Sequence, residues 1–132
     1  MKRVMGMVVV GACLVLAGCS SAESEAVKAA QAYVTATRQE QCELDLGRSN
    51  CEQIPDNVVW PGHPTDVESV TKWKDNGYAV VIPDADGRKD VFGLREVNGE
   101  WKVEEYDVIT EEHLAEDDPA CWALSEDTGI GC

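Results

Sequence analysis

The stretch that decides the fold is Gly77–Asp107, GYAVVIPDADGRKDVFGLREVNGEWKVEEYD. Runs rich in valine, isoleucine and aromatic residues alternate here with short turn sequences. Asn98-Gly99 is the strongest turn signal, because both central residues of a type I′ turn need a positive φ. Together with the run that precedes it, the stretch predicts a four-stranded antiparallel meander. The predicted strands are Val67–Lys74, Tyr78–Pro83, Asp90–Val97 and Glu100–Val108.

A helix is predicted before the meander, over about Ala22–Gln41. Alanine and other apolar residues recur there at helical spacing, and serines with acidic neighbours stand where a helix begins. A sheet with one apolar face needs a cover, and this amphipathic segment is the large one that the sequence offers. The sequence therefore predicts an α+β domain in which an N-terminal helix packs on the meander.

A helix followed by a meander that wraps it resembles the NTF2-like and cystatin-like α+β folds. The segment NGEWKV, residues 98–103, is similar to the last strand of small NTF2-like domains of bacterial lipoproteins, and this resemblance implies that Trp101 enters the core. Some NTF2-like proteins are enzymes that use Asp, Tyr or His inside the cone. By this resemblance the candidate pocket residues are Tyr33, Tyr78, Tyr106 and Asp107.

The first residues have the layout of a secretory signal. Lys2 and Arg3 precede an apolar run, Val4–Leu16, that is too short to cross about 30 Å of hydrocarbon comfortably. The segment Leu16-Ala17-Gly18-Cys19 resembles the lipobox of bacterial lipoproteins, which implies cleavage before Cys19 and acylation of its sulfur. Two or more acyl chains hold a protein stably at a membrane. The predicted organisation is a lipoprotein signal peptide (1–18), a lipidated N-terminus and linker (19–21), the α+β domain (22–108) and an acidic tail (109–132).

Four further cysteines follow the signal: Cys42, Cys51, Cys121 and Cys132. An even number in an exported domain suggests disulfides. Of the three possible pairings we prefer Cys42–Cys51 with Cys121–Cys132, because each pair brackets a short polar loop. A metal site is the alternative, and the cysteine spacing lacks the tight double-cysteine pattern of structural zinc sites.

The charge balance is strongly acidic, with a formal net charge of −14. Residues 103–132 contain ten Asp or Glu and no Lys or Arg. Such a surface repels phosphate backbones, so nucleic-acid binding is not expected. Solubility is the simpler interpretation of the acidity, and a basic partner or a cation is the alternative.

Few side chains suggest chemistry. Asp84-Ala85-Asp86-Gly87 with Asp90 has too few alternating carboxylates for a calcium loop, so a hairpin turn is predicted. His63 and His113 have no nucleophile at an informative distance and are expected to be exposed loop residues. No catalytic residue, metal or cofactor is predicted. A proton or metal site at His113 is a hypothesis that rests on its acidic neighbours, Glu111, Glu112 and Glu116.

The sequence thus predicts a non-catalytic binding module, lipid-anchored on the extracytoplasmic face of the cell membrane. Its expected partner is an envelope protein, or an incoming protein that this chain would block at the cell surface. Some prophage-encoded lipoproteins block incoming proteins in this way. Trp60 and Trp122, in predicted loops, are the candidate contact residues. The alternatives are a small-ligand carrier and an NTF2-like isomerase or hydrolase, both using the space between helix and sheet.

Overall fold

A computed structural model describes residues 21–59 and 62–125. The proposed signal peptide, the lipidation site Cys19, Trp60 and Cys132 lie outside these residues. The described chain is α+β, as predicted from the sequence. Its helices are α1 (Ala22–Thr35), α2 (Arg38–Leu44) and α3 (Pro119–Ser125), its strands are β1 (Ser69–Trp73), β2 (Gly77–Pro83), β3 (Lys89–Val97) and β4 (Glu100–Val108), and 3-10 turns lie at Cys51–Gln53 and Glu111–Ala115.

The four strands form one antiparallel sheet in the order β1-β2-β3-β4. This is the predicted meander, and each observed strand overlaps its predicted range. Val97 pairs with Glu100, so the β3–β4 turn consists of two residues. Those residues, Asn98 and Gly99, have φ values of 54° and 80°, as a type I′ turn requires.

The predicted single helix over Ala22–Gln41 is wrong, because the chain breaks at Ala36. Ala36 is extended, with ψ at 159°, and Thr37 begins a second helix. The Thr37 hydroxyl accepts from the Glu40 backbone N–H, and the Glu40 carboxylate accepts from the Thr37 N–H. This reciprocal capping box starts α2 and fixes the direction in which it leaves α1.

Helix α1 covers one face of the sheet. Ala26, Ala30 and Val34 recur at helical spacing and are buried against this face. Alternation along the strands supplies the opposing side chains. The core on this side, which we call the α1 face, comprises Ala26, Ala30, Val34, Val80, Ile82, Phe92, Leu94 and Val103.

Helix α3 covers the opposite face. Ala120, Ala123 and Leu124 pack on Trp73 and on the strand residues that alternate with those of the α1 face. The core on this side, the α3 face, comprises Trp73, Ala79, Val81, Val91, Ala120, Cys121, Ala123 and Leu124. Residues 119–125, which belong to the predicted acidic tail, thus pack on the sheet as part of this core.

A disulfide between Cys42 and Cys51 joins α2 to the following 3-10 turn, with the Cα atoms 5.5 Å apart. This predicted pairing is confirmed. Cys121 is also disulfide-bonded, and its predicted pairing with Cys132 falls outside the described residues. Within residues 21–59 and 62–125, none of the helices has the length and apolar character needed to cross a bilayer.

Candidate functional site

A buried carboxylate lies at the end of the sheet where β2 turns into β3. Asp90 is the second residue of β3, and its side chain is 0% exposed. A charge without water must be paired and hydrogen-bonded. Three side chains do this for Asp90, and with Asp84 they form what we call the Asp90 cluster. Its members are His63, Asp84, Arg88, Asp90 and Tyr106.

His63 comes from the irregular segment between the 3-10 turn and β1. Its Nε2 lies 2.8 Å from Asp90 Oδ2 and 3.8 Å from Asp84 Oδ2. Its Nδ1 lies 2.7 Å from the Pro64 carbonyl oxygen. The expectation of an exposed loop histidine was wrong, because the His63 side chain is only 3% exposed. The contact with Asp90 holds this segment against the sheet.

Two donors complete the cluster. Tyr106 on β4 donates its hydroxyl to Asp90 Oδ1 at 2.7 Å. Arg88 contacts the same oxygen through Nε at 3.1 Å and Asp84 Oδ2 through Nη2 at 3.2 Å. Burial, and then the hydrogen bond to Asp90, raise the pKa of Tyr106, while the Asp90 carboxylate raises the pKa of Arg88.

The predicted hairpin turn at Asp84–Gly87 is confirmed. Pro83 pairs with Lys89, and Gly87 takes a φ of 91° inside the turn. The turn brings Asp84 back over Asp90, while Asp86 Oδ1 accepts from the Arg88 backbone N–H. In the part of the chain that the structure describes, His63, Asp84 and Asp90 are the one group with three potential metal-ligand atoms, all within 4.8 Å of one another.

In the described part of the chain, the other histidine, His113, does not form a cluster with the acidic residues near it in the sequence. His113 is buried in the 3-10 turn Glu111–Ala115, so its expected exposure was also wrong. Its Nδ1 lies 3.4 Å from the Thr110 hydroxyl. Among the described residues, the glutamates around His113 do not assemble into a group with metal-ligand geometry.

A second polar site lies behind α1, where Tyr33 meets the loop after α2. Tyr33 forms a hydrogen bond with Asp45 in this loop. Both residues line a pocket of about 370 Å³, together with Arg38, Gln41 and Arg48. Burial, and then the Asp45 carboxylate, raise the pKa of Tyr33. Burial also raises the pKa of Asp45, against the lowering effects of Tyr33 and Arg48.

An open groove runs along the outer side of α1 towards the β3–β4 turn. Its volume is about 750 Å³. Its lining includes small side chains of α1 and Trp101 of β4. The remaining side chains are mostly charged, and the lining is Glu25, Lys28, Ala29, Ala32, Thr35, Ala36, Glu40, Glu43, Leu44, Gly99, Glu100, Trp101 and Lys102.

The remaining sequence-based candidates are scattered. Trp122 lies on α3 rather than in a loop, and it is 42% exposed. Tyr78 packs against Trp101 with ring centroids 6.0 Å apart. Trp101 packs against the core of the α1 face but is only half-buried, so it does not lie deep in the core. Asp107 contacts its own strand, accepting from the Val108 N–H at 2.7 Å. The candidate pocket tyrosines therefore do not converge on one cavity.

Sequence reasoning missed the Asp90 cluster as a unit. It treated His63 and the Asp84–Asp90 turn separately, although all the cluster carboxylates were among its candidates. The Pro61-Gly62-His63-Pro64 context, a histidine between turn-forming residues, gives no sign of the distant contact. No protein-family model, curated protein or solved structure matches the chain significantly.

Proposed function

We propose that this chain is a lipid-anchored protein of the cell envelope, with an NTF2-like or cystatin-like fold, that binds a protein partner and performs no catalysis. The lipobox-like segment Leu16–Cys19 supports the anchor. The Cys42–Cys51 disulfide suits an oxidising compartment outside the cytoplasm. Helix α1 begins at Ala22, so an anchor at Cys19 would hold the domain close to the bilayer.

The observation that carries the non-catalytic assignment is the filled space between α1 and the sheet. Ala30, Phe92 and Leu94 are all 0% exposed, and Phe92 lies against Tyr33 with ring centroids 5.6 Å apart. A carrier or an NTF2-like enzyme would use this space for its ligand. Since side chains occupy it, recognition on the outer surface is the function that the geometry supports best.

The groove beside α1 is the contact surface we assign. Ala29 and Ala32 leave room along the helix, and Trp101 lines the groove with its ring packed against Tyr78. A fixed aromatic side chain beside small residues is the arrangement that anchors protein contacts, because little side-chain entropy is lost on binding. The groove also lies on the helix that follows the proposed anchor.

The charges at the rim of the groove define the partner. Lys28 is paired with Glu25 at 3.5 Å, and Lys102 with Glu100 at 3.3 Å. The further rim carboxylates are Glu40 and Glu43, so the lining carries more negative than positive charge. Charge complementarity therefore favours a basic protein segment with an apolar residue that packs on Trp101.

Site-specific photo-crosslinking in native membranes tests this proposal. We expect a photoreactive phenylalanine analogue at Thr35, inside the groove, to give an adduct that decreases at high salt. The same analogue at exposed Ala115, outside the groove, should give none. Ala32→Arg should abolish the Thr35 adduct, because it fills the groove and repels a basic partner, whereas Ala115→Arg should not. Equal adducts from both positions, or an adduct unaffected by Ala32→Arg, would contradict the assigned surface.

The proposed lipid anchor at Cys19 is tested separately by metabolic labelling with a clickable palmitate analogue. We expect label on the wild-type chain in the membrane fraction and none on Cys19→Ser. Ser20→Ala serves as the matched control, since it changes the neighbouring residue and leaves the Cys19 sulfur in place. Label that persists in Cys19→Ser would exclude the proposed anchor while leaving the groove proposal intact.

The Tyr33–Asp45 pocket favours a second candidate, a site for a small anionic ligand. Arg38 and Arg48 line the pocket, and its carboxyl and phenol both retain protons more strongly than usual. Ligand-observed NMR with a panel of small carboxylates tests this role. Binding that is lost in Arg38→Gln would support it, and an absence of binding across the panel would exclude it for carboxylates.

A further inference from the structure

The two oxygens of the Asp90 carboxylate have different partners. Oδ1 accepts from the Tyr106 hydroxyl and faces Arg88 Nε. Oδ2 faces His63 Nε2 at 2.8 Å. Oδ1 is thus held by the Tyr106 hydroxyl and Arg88, while Oδ2 lies against an imidazole nitrogen. Carboxylates that bind metal ions are commonly supported in this way, with the second oxygen anchored by outer hydrogen bonds.

The orientation of the imidazole gives a second, independent indication. A carbonyl oxygen can only accept, so the contact between Nδ1 and the Pro64 carbonyl places a hydrogen on Nδ1. The neutral ring then carries its lone pair on Nε2, which faces one oxygen each of Asp84 and Asp90. His63 Nε2 and one oxygen each of Asp84 and Asp90 lie within 4.8 Å of one another, and either a proton on Nε2 or a cation between these atoms would offset the negative charge of the two carboxylates.

We propose that His63, Asp84 and Asp90 form a binding site for a divalent transition-metal ion. The ligand atoms are His63 Nε2, Asp84 Oδ2 and Asp90 Oδ2, all within 4.8 Å of one another. Bonds of about 2.0–2.2 Å to a tetrahedral ion place ligand atoms roughly 3.4 Å apart. The observed separations of 2.8 and 3.8 Å from Nε2 lie on either side of that value.

The donor set selects the class of metal. One imidazole nitrogen and two carboxylate oxygens suit Zn²⁺ or Mn²⁺, whereas Ca²⁺ prefers six to eight oxygens. Pro64 fixes the imidazole tautomer that binds a metal through Nε2, as a backbone carbonyl commonly does. Three protein ligands leave at least one position of a tetrahedral ion for water or for a further ligand.

Arg88 is the competitor of the metal ion in this site. Its Nη2 contacts Asp84 Oδ2, which is one of the three ligand atoms. The Arg88 side chain is 45% exposed, so its guanidinium can turn towards solvent when an ion enters. Removing Arg88 frees Asp84 Oδ2 and removes a positive charge, and both changes favour a cation. An ion-pair network without metal affinity would show no such gain.

Isothermal titration with Zn²⁺ tests the site. The sample is the full chain without a histidine tag, purified in mild detergent, stripped with EDTA and alkylated so that free thiols do not bind zinc. We expect one Zn²⁺ per chain. His63→Gln and Asp84→Asn should each weaken binding at least tenfold, because each removes one of three ligands. Arg88→Gln should strengthen binding several-fold.

The matched controls are His113→Gln and Asp86→Asn. The first removes the other histidine, and the second a carboxylate of the same turn that is not a ligand, so both should bind Zn²⁺ as the wild type does. Circular dichroism establishes that each variant is folded, and Co²⁺ absorption in the visible range provides a readout of nitrogen and oxygen ligation. Absence of binding to the wild type, or binding that survives His63→Gln and Asp84→Asn, would overturn the proposal.

Discussion

The two faces of the sheet are covered by helices of very different size. The α1 face has a 14-residue helix with a regular apolar stripe. The α3 face has a helix of seven residues that could not form alone, because a short helix does not offset its cost of nucleation. The large indole of Trp73 supplies much of the apolar surface that α3 itself lacks. A small helix can therefore close a sheet when the strands provide the bulk of the core.

The largest expected effect is on the α1 face. Phe92→Ala should lower the free energy of unfolding by about 3–5 kcal/mol, because it leaves a cavity among residues that are close-packed around the ring. Chemical denaturation followed by circular dichroism measures the change. Glu96→Ala, at an exposed position of the same strand, is the control and should alter stability by less than about 0.5 kcal/mol.

The α3 face is tested by Leu124→Ala. Leu124 is fully buried, and its truncation should cost about 2–5 kcal/mol, at the lower part of that range because a short helix can shift to fill the space. Trp122→Ala is the matched control, since Trp122 lies two residues away on the same helix and is exposed. If Leu124→Ala proved as mild as Trp122→Ala, α3 would not be part of the cooperative core.

The difference between the faces also explains why α1 could be predicted from the sequence and α3 could not. Helix α1 and the meander were predicted because their periodicities are regular and their turns carry Asn-Gly or Asp-Gly signals. Helix α3 was overlooked because Pro119–Ser125 is short and follows a strongly acidic segment. A signal for a second cover was nevertheless present. Tyr78–Ile82 is apolar at every position, which is typical of a strand that is buried on both faces.

Two other features differ in how far the sequence could reveal them. The break between α1 and α2 could have been predicted from the sequence, since Thr37 and Glu40 have the spacing of a capping box. The Asp90 cluster could not, because His63 and Asp90 are 27 positions apart in the sequence and no local pattern encodes that contact. Caps and turns are local chemistry, whereas a cluster built from a loop, a hairpin turn and two strands depends on the completed fold.

A smaller effect is expected where Trp73 meets the sheet. A Cβ added at Gly93 would lie 2.6 Å from Cζ3 and 2.7 Å from Cη2 of the Trp73 ring, so the ring must move. Gly93→Ala should therefore cost about 1–3 kcal/mol, as overpacking of a core does. A double-mutant cycle with Trp73→Leu measures the coupling, and we expect Gly93→Ala to cost clearly less when the indole is absent. An unchanged cost would place the strain elsewhere.

The smallest expected effect at neutral pH concerns Tyr33 on the α1 face, whose contribution to stability should depend on pH in the alkaline range. Tyr33 packs on the α1 face, whereas the α3-face cluster contains no tyrosine among its described residues. Burial and Asp45 raise the pKa of Tyr33 above its ordinary value of about 10. The folded state therefore holds the phenolic proton more tightly than the unfolded state does. The resulting stabilisation is fully present below pH 10 and is lost as the pH rises further.

Tyr33→Phe removes this titration. At pH 7 we expect a loss of about 0.5–1.5 kcal/mol from the missing hydrogen bond to Asp45. Between pH 9 and 11 the wild type should lose stability faster than the variant, so that the difference between them narrows or reverses. Tyr106 is present in both proteins and cancels in the comparison. Urea unfolding at several pH values measures the two slopes. Parallel slopes would mean that Tyr33 ionises equally in the folded and unfolded states, which would contradict the raised pKa.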